Sequence, residues 1–319
     1  AAAYSPAKYG ILTELLPPSQ LVAANGWIEG LTVGSIILGT LLGGWLVSAT
    51  MSDRLIAIDF PFFDSFIDTP GEAAIVVIAS GYVLAALFNL YIPDTGVDHH
   101  VPNKNPLYMI RDFARCNRLL WKDKLGQISL ATTTLFWGAG ATLQFIVLKW
   151  AEKALNFPLS KATLLQGVVA VGIAFGAVLA ARLVPLRRAA DVVPMGIGMG
   201  LVVIVMVFVR DLWVAIPLMI LIGGLAGFFV VPMNALLQHR GHILMGAGHS
   251  IAVQNFNENL SILIMLALYA LMIRMDLSIY IVIVLFGLFV SSSMVLVRRR
   301  HLHNQREGDL THLIGMERH

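Results

Sequence analysis

This chain of 319 residues is 57% hydrophobic and only 13% charged, with a formal net charge of +3. Soluble domains carry about 25% charged residues, so the composition excludes an ordinary soluble domain and indicates a membrane protein. The positive net charge comes from Lys and Arg residues concentrated in loops on one side of the membrane, as described below, and does not indicate nucleic-acid binding.

The predicted elements are apolar helices. Residues 1–16 look like the end of one helix, and because Ala1 opens in its middle we expect an N-terminal part to be missing. Short alternating strands of a barrel are absent, so the sequence predicts an all-α polytopic membrane protein. About eight complete transmembrane helices are expected, at residues 21–47, 73–92, 127–150, 162–184, 192–209, 213–237, 247–273 and 277–297.

The Lys and Arg residues lie mostly on one side of these helices. If the loop at 8–20 is cytoplasmic, most of the 22 Lys and Arg residues fall in cytoplasmic loops, as the positive-inside rule requires. We therefore expect a multi-pass protein with a cytoplasmic tail. The outer loop at 48–71 is acidic and aromatic, and we expect it to be solvated at the bilayer surface.

The longest loop contains the best candidate for a domain boundary. After Pro106 its apolar residues follow helical spacing, and a basic stripe accompanies them. Such a helix lies on the cytoplasmic leaflet, either as a lid joining two bundles or as a docking element. The stripe is Arg111, Arg115, Arg118 and Lys122. The predicted domains are 1–92 (the remainder of an N-terminal bundle), 93–126 (a cytoplasmic connector), 127–298 (a C-terminal six-helix bundle) and 299–319 (a cytoplasmic tail).

Two carboxylates inside apolar runs have matching surroundings. Glu29 follows Asn25 by four residues, and Glu258 follows Gln254 by four, with an aromatic residue between them in each case. Membrane-depth charges mark transport pathways, and duplicated halves are typical of transporters. The polar run around Glu258 must either line a cavity or bond to neighbouring helices.

Further polar residues lie at or near membrane depth. Lys8 either meets a phosphate, pairs with Glu29 or reaches the cytoplasmic surface. Asn234 follows the bend expected at Pro232, and Gln144 is a candidate cavity amide. The candidate substrate-binding residues are Lys8, Asn25, Glu29, Gln144, Asn234, Gln254, Asn255, Glu258 and Asn259.

Catalytic and metal chemistry are not predicted. His239, His242 and His249 cluster around one predicted cytoplasmic turn, but no Cys or carboxylate completes a metal-binding set. No Ser-His-Asp arrangement or paired acid is found in a water-accessible setting. We therefore expect a protein that is not an enzyme and uses neither a metal nor a cofactor.

Several strings along the chain match one known family. They are Ala3-Tyr4-Ser5-Pro6-Ala7-Lys8-Tyr9-Gly10, Leu135-Phe136-Trp137-Gly138-Ala139-Gly140, Gly227-Phe228-Phe229-Val230-Val231-Pro232, Asn234-Ala235-Leu236-Leu237-Gln238, Ile251-Ala252-Val253-Gln254-Asn255 and Glu258-Asn259. In these strings the chain resembles the bacterial lysophospholipid transporters of the major facilitator superfamily over essentially its whole length. On that alignment it carries helices 4 to 12 of twelve, with only the end of helix 4.

The resemblance implies two six-helix halves with both termini in the cytoplasm. It also implies movement of lysophospholipids, chiefly lysophosphatidylethanolamine, from the outer to the inner leaflet of the bacterial inner membrane, where an acyltransferase would restore the second chain. The sequence departs from the family at Gln144, where an Arg is expected, and in the longer loop at 48–71.

The interpretation is a lysophospholipid flippase that works by alternating access, with no nucleic-acid partner. One alternative is a drug or cation antiporter of the same fold, in which Glu29 and Glu258 carry protons. The other is a non-transporting membrane scaffold that docks an acyltransferase through the helix at 107–124.

Overall fold

The fold is helical throughout the described part of the chain, which comprises residues 4–46, 70–92 and 105–308 of a computed structural model. Short 3-10 segments precede or follow some of the helices. The helices are α1 (Tyr4–Leu15), α2 (Leu21–Leu46), α3 (Pro70–Asn89), α4 (Pro106–Lys122), α5 (Gly126–Ala154), α6 (Leu159–Leu183), α7 (Val193–Val205), α8 (Leu212–Met245), α9 (Ala247–Arg274) and α10 (Ile279–Arg306).

The predicted membrane helices are confirmed. Among the described residues, six helical segments from Gly126 onward are long and apolar enough to cross a membrane. Helices α2 and α3 occupy the other two predicted runs. Helix α4 lies where an amphipathic connector helix is expected, while the domain boundaries and the cytoplasmic placement stay predictions. The loop at 48–69 and the tail beyond Gly308 lie outside the described residues.

Two compact units can be distinguished along the chain. The first contains Ala1–Val33 and Asp98–His319, and the second contains Gly34–Val97. Helix α2 begins in the first unit and ends in the second. All contacts described below lie within the first unit, which holds the helices from α4 to α10 together with α1 and the first half of α2.

Helix α8 is longer than the apolar pattern predicts. It continues for eight residues past Leu237, the last residue of the predicted run, and includes His239, Arg240 and His242, which the sequence places in a loop. Those loop assignments are wrong because the extension is packed against other helices: His239 and Arg240 are both buried. Hydrogen bonds and ion pairs to neighbouring elements replace the apolar contacts that usually signal a helix.

One of these contacts is a buried ion pair between α8 and the start of α5. The Arg240 Nη2 atom lies 2.6 Å from Asp123 Oδ2, and Nε donates to Oδ1 over 3.1 Å. Asp123 Oδ1 also accepts hydrogen bonds from the backbone N–H groups of Leu125 and Gly126, at 3.2 and 2.7 Å. The carboxylate therefore bonds to the first backbone N–H groups at the start of α5 and holds the end of α8 at the same time.

Helices α6 and α8 approach each other through glycines. A methyl group at Gly227 would collide with the carbonyl oxygen of Ile173, and one at Gly176 would collide with the carbonyl oxygen of Gly224. Backbone-to-backbone packing of this kind replaces the hydrophobic effect as a source of helix association in lipid. At these positions the glycines therefore serve close helix packing.

We expect Gly227→Ala to lower the stability of the purified protein in detergent by about 1–3 kcal/mol, because the added methyl over-packs the α6–α8 contact. Gly198→Ala is the matched control, since no atom lies within 4 Å of the position a Cβ would take there. Thermal unfolding followed by intrinsic fluorescence measures both variants. Equal melting temperatures for the two would contradict the packing role.

We expect Arg240→Met to destabilise the fold by about 3–5 kcal/mol, because it leaves the Asp123 carboxylate buried without its ion-pair partner. Adding Asp123→Asn should recover part of the loss, which the same unfolding measurement detects. Lys124→Met is the control: Lys124 pairs with Glu307 at 3.0 Å on the surface, where ion pairs contribute little. If Arg240→Met alone is as stable as Lys124→Met, the buried Arg240–Asp123 ion pair does not stabilise the fold.

Candidate functional site

A cavity of about 260 Å³ lies between α5, α8 and α9. Most of its lining side chains are polar, which is unusual inside a bundle of apolar helices. The lining residues are Trp137, Asn234, Ile251, Gln254, Asn255, Glu258, Asn259 and Ile262. Both the polar lining and the position between three helices make this cavity the candidate functional site.

Helix α9 supplies six of these residues because of its periodicity. Each of positions 251, 254, 255, 258, 259 and 262 lies three or four residues from another member of the set, so they share one face. The turn before α9 brings this face opposite Asn234 of α8. Gly246 has φ of 82°, a left-handed conformation that a residue with a side chain rarely adopts, and it reverses the chain between α8 and α9.

Helices α5 and α9 pack closely against each other beside the cavity. A methyl group at Gly138 would collide with the Ser261 hydroxyl, so the two helices touch there. Trp137, the residue before Gly138, lines the cavity wall formed by α5.

The centre of the cavity lining is the carboxylate of Glu258. Gln254 Nε2 lies 2.8 Å from Glu258 Oε1 and 3.3 Å from Asn234 Oδ1. The side chain of Thr133 on α5 is a further hydrogen-bonding partner of Glu258. Groups from α5, α8 and α9 thus meet around one buried carboxylate, and such bonding offsets part of the cost of removing it from water.

The second predicted carboxylate, Glu29, is buried on α2. It interacts electrostatically with Glu258, so the two carboxylates that the sequence sets in matching surroundings act on each other in the fold. Two interacting acids in a bundle interior repel one another when both are charged, and a cationic group beside them would relieve that repulsion.

Asn25 is placed away from the cavity lining. Asn25 Nδ2 donates to Gln238 Oε1 over 2.9 Å, and Gln238 Nε2 donates back to Asn25 Oδ1 over 3.0 Å. Both side chains are buried. This reciprocal amide pair joins α2 directly to the extended end of α8.

The remaining candidates are dispersed. Gln144 is exposed and pairs with Gln166, which donates to the Gln144 carbonyl oxygen over 3.1 Å. Asn259, by contrast, belongs to the cavity lining although it is exposed, and it donates to the Asn255 carbonyl oxygen over 2.7 Å. Lys8 belongs to α1, and its side chain lies outside the described part of the structure. Of the candidates, Asn234, Gln254, Asn255, Glu258 and Asn259 meet at the cavity.

Asn257 belongs to the same polar run but has a different role. Its Nδ2 donates to Asn117 Oδ1 over 2.9 Å, and its Oδ1 accepts from Trp121 Nε1 over 3.3 Å. It therefore attaches the connector helix α4 to the face of α9 that does not line the cavity. The sequence left two alternatives for the polar run, lining a cavity or bonding to a neighbouring helix. Both occur: Asn257 bonds to α4, whereas the other polar residues of the run line the cavity.

Sequence reasoning missed Thr133, Trp137 and Gln238. Thr133 and Trp137 are four residues apart, so they share a face of α5, and Gln238 follows Asn234 by four on α8. That spacing is a signal for a shared face in an apolar helix. It does not reveal which helix packs against that face, because Thr133, Trp137 and Gln238 each meet residues that lie far away in the sequence.

The comparisons with known proteins agree on one family. The profile of the Major Facilitator Superfamily matches residues 1–265. Proteins named Lysophospholipid transporter LplT, from Yersinia pestis (strain Pestoides F) and Yersinia pseudotuberculosis serotype O:3 (strain YPIII), are 42% identical to this chain over 276 residues. The match covers 86% of this chain and 63% of each relative, so the chain spans less than two thirds of their length.

We expect Asn25→Leu and Gln238→Met to be strongly coupled in a double-mutant cycle of unfolding. Each single change leaves one buried amide without its partner, at about 1–3 kcal/mol, whereas the double change removes both polar groups. The exposed pair Gln144→Leu and Gln166→Met is the control and should show little coupling. Additive effects at Asn25 and Gln238 would show that the amide pair does not hold α2 to α8.

Proposed function

This chain belongs to the major facilitator superfamily, and we propose that it forms part of a lysophospholipid transporter of the bacterial inner membrane. The relatives that carry this function in their name are similar to the chain over most of its length. The observation that carries the proposal is the buried carboxylate of Glu258 facing a polar cavity. A membrane-depth acid that faces a cavity is a feature of a transport path.

The chemistry of the lining fits a zwitterionic headgroup. A phosphoethanolamine headgroup carries an ammonium and a phosphate. The Glu258 carboxylate lines the cavity and is an acceptor for the ammonium. The side-chain amides of Asn234, Gln254 and Asn255 line the same space and offer N–H donors for phosphate oxygens. We therefore propose lysophosphatidylethanolamine as the main substrate.

The size of the cavity fits a headgroup better than a whole lipid. Sites that enclose drug-sized ligands occupy about 300–1,000 Å³, whereas this cavity has about 260 Å³. The acyl chain would then lie outside it, along apolar surface such as Ile251 and Ile262 at the cavity wall.

The proposed direction of movement is from the outer to the inner leaflet. The Asn25–Gln238 pair lies near the ends of α2 and α8 that the charge pattern places at the cytoplasm. While this pair is intact it restrains the cytoplasmic ends of the two helices. Its opening would release the headgroup inward in an alternating-access cycle. A cytoplasmic acyltransferase would then use the delivered lysolipid.

A cation antiporter of the same fold is the second candidate. The two buried carboxylates Glu29 and Glu258 favour it, because carboxylates in a membrane interior often carry protons or cations. Substrate-driven proton movement in proteoliposomes separates the two functions: drug-dependent movement without lysolipid transfer would support the antiporter.

We expect Glu258→Gln to reduce inward transfer of labelled lysophosphatidylethanolamine by at least about tenfold. The reason is that the variant loses one contact with the headgroup, and a contact of about 1.4 kcal/mol corresponds to a factor of ten. The measurement uses spheroplasts that express the full-length protein, with an empty vector as background. The substitution keeps the size of the side chain and its ability to bond to Gln254, so the fold should persist.

Glu152→Gln is the matched control. Glu152 pairs with Lys149 on the exposed end of α5, and its replacement should leave transfer within about twofold, because surface ion pairs contribute little. No transfer above the vector background by the unaltered protein would reject the proposed function. Full transfer by a normally expressed Glu258→Gln variant would reject the role of the cavity.

A further inference from the structure

Three potential metal ligands meet where the connector helix α4 touches the start of α9. Asp112 and Cys116 belong to α4 and His249 to the first turn of α9. One donor atom from each lies within 4.8 Å of the other two. We propose that Asp112, Cys116 and His249 bind a zinc ion that fastens α4 to α9, a site independent of the transport function proposed above.

The ligand types select for zinc. A thiolate, an imidazole and a carboxylate are the three side-chain ligands that Zn²⁺ takes in proteins. Magnesium and calcium prefer sites made only of oxygen ligands. The thiolate and the carboxylate together balance the charge of the ion, and His249, whose side chain is 58% exposed, leaves an open side on which water can complete a tetrahedral site.

The distances are within reach of a zinc site. Zinc bonds of about 2.0–2.3 Å place tetrahedral ligands roughly 3.3–3.7 Å apart. His249 Nε2 and Asp112 Oδ2 are already 3.2 Å apart. The Cys116 thiol lies within 4.8 Å of both, and the exposed His249 ring is free of the tight packing that would prevent it from turning toward a shared ion.

The surrounding contacts hold the two helices in the required position. Asp112 and Cys116 are four residues apart and therefore share a face of α4. On the same side, the rings of Phe113 and Phe256 meet edge to face with centroids 5.1 Å apart. The next residue of α9, Asn257, bonds to Asn117. The ligands thus come from two elements that are fixed to each other before any ion binds.

The sequence does not predict this site. It groups His249 with His239 and His242, the neighbours along the chain. In the fold those two histidines belong to α8, where His242 Nδ1 lies 3.4 Å from the Thr13 hydroxyl. The Cys and the carboxylate that complete the set around His249 come from more than 130 residues earlier in the chain.

The test is zinc binding by the full-length protein, purified through a tag that contains no histidine and stripped with a chelator. Titration with Zn²⁺ against a chromogenic chelator should show one site per chain, and Zn²⁺ but not Mg²⁺ should raise the melting temperature. Cys116→Ser, Asp112→Asn and His249→Gln should each weaken binding by at least about tenfold, which is the smallest effect expected when a ligand is lost.

His303→Gln is the matched control. His303 Nε2 lies 3.2 Å from the Glu307 carboxylate, the same separation as in the His249–Asp112 pair, but Cys116, the only cysteine of the chain, is elsewhere. This variant should bind zinc as the unaltered protein does. Co²⁺ should give a thiolate charge-transfer band that disappears in Cys116→Ser.

Three results would overturn the proposal: no Zn²⁺ binding to the stripped protein, unchanged binding in His249→Gln, or equal loss in His303→Gln. His249 is exposed, so its replacement tests the site even if Cys116→Ser fails to fold.

Discussion

The polar architecture of this chain depends on the burial of one carboxylate. Glu258 lies in an apolar helix bundle, where an ionisable group that lacks hydrogen bonds costs several kcal/mol. Gln254 and Thr133 bond to it, and Asn234 accepts from Gln254. These partners belong to α9, α5 and α8, so satisfying one side chain fixes the relative position of three helices. The polar cavity is a consequence, because the same side chains leave a space that hydrocarbon would not fill favourably.

Two faces of helix α9 have different roles. The face that carries Gln254 and Glu258 lines the cavity, and the face that carries Phe256 and Asn257 receives α4. Only one residue separates Phe256 from Glu258 along the chain, so a rotation of α9 that moved the carboxylate would also move the docking surface for α4. The connector helix is thus attached to the helix that supplies most of the cavity lining.

Much of the fold could be predicted from the sequence, because long apolar runs in a membrane protein leave few alternatives to helices. The prediction failed where polar residues continue a helix. Gln238 and Arg240 lie beyond the predicted apolar run, yet they belong to α8, where Asn25 and Asp123 bond to them. For the site, helical spacing places Gln254 and Glu258 on one face but cannot identify their partners. The Asn25–Gln238 contact spans 213 residues and the Asp123–Arg240 contact 117, and no local pattern encodes such distances.

Two kinds of polar contact hold the end of α8, and the free energy needed to break them differs. The Asp123–Arg240 pair is a buried ion pair whose separation would leave charge without compensation, at about 3–5 kcal/mol. The Asn25–Gln238 pair is neutral, and each of its hydrogen bonds has a net worth of about 0.5–1.5 kcal/mol. Water can replace the amide partners at little cost once the helices separate, but it compensates separated ions less readily. The contact with α2 is therefore the one that can open repeatedly, while the contact with Asp123 keeps α8 attached to the start of α5. The alternating-access cycle proposed above would use both properties in one helix end.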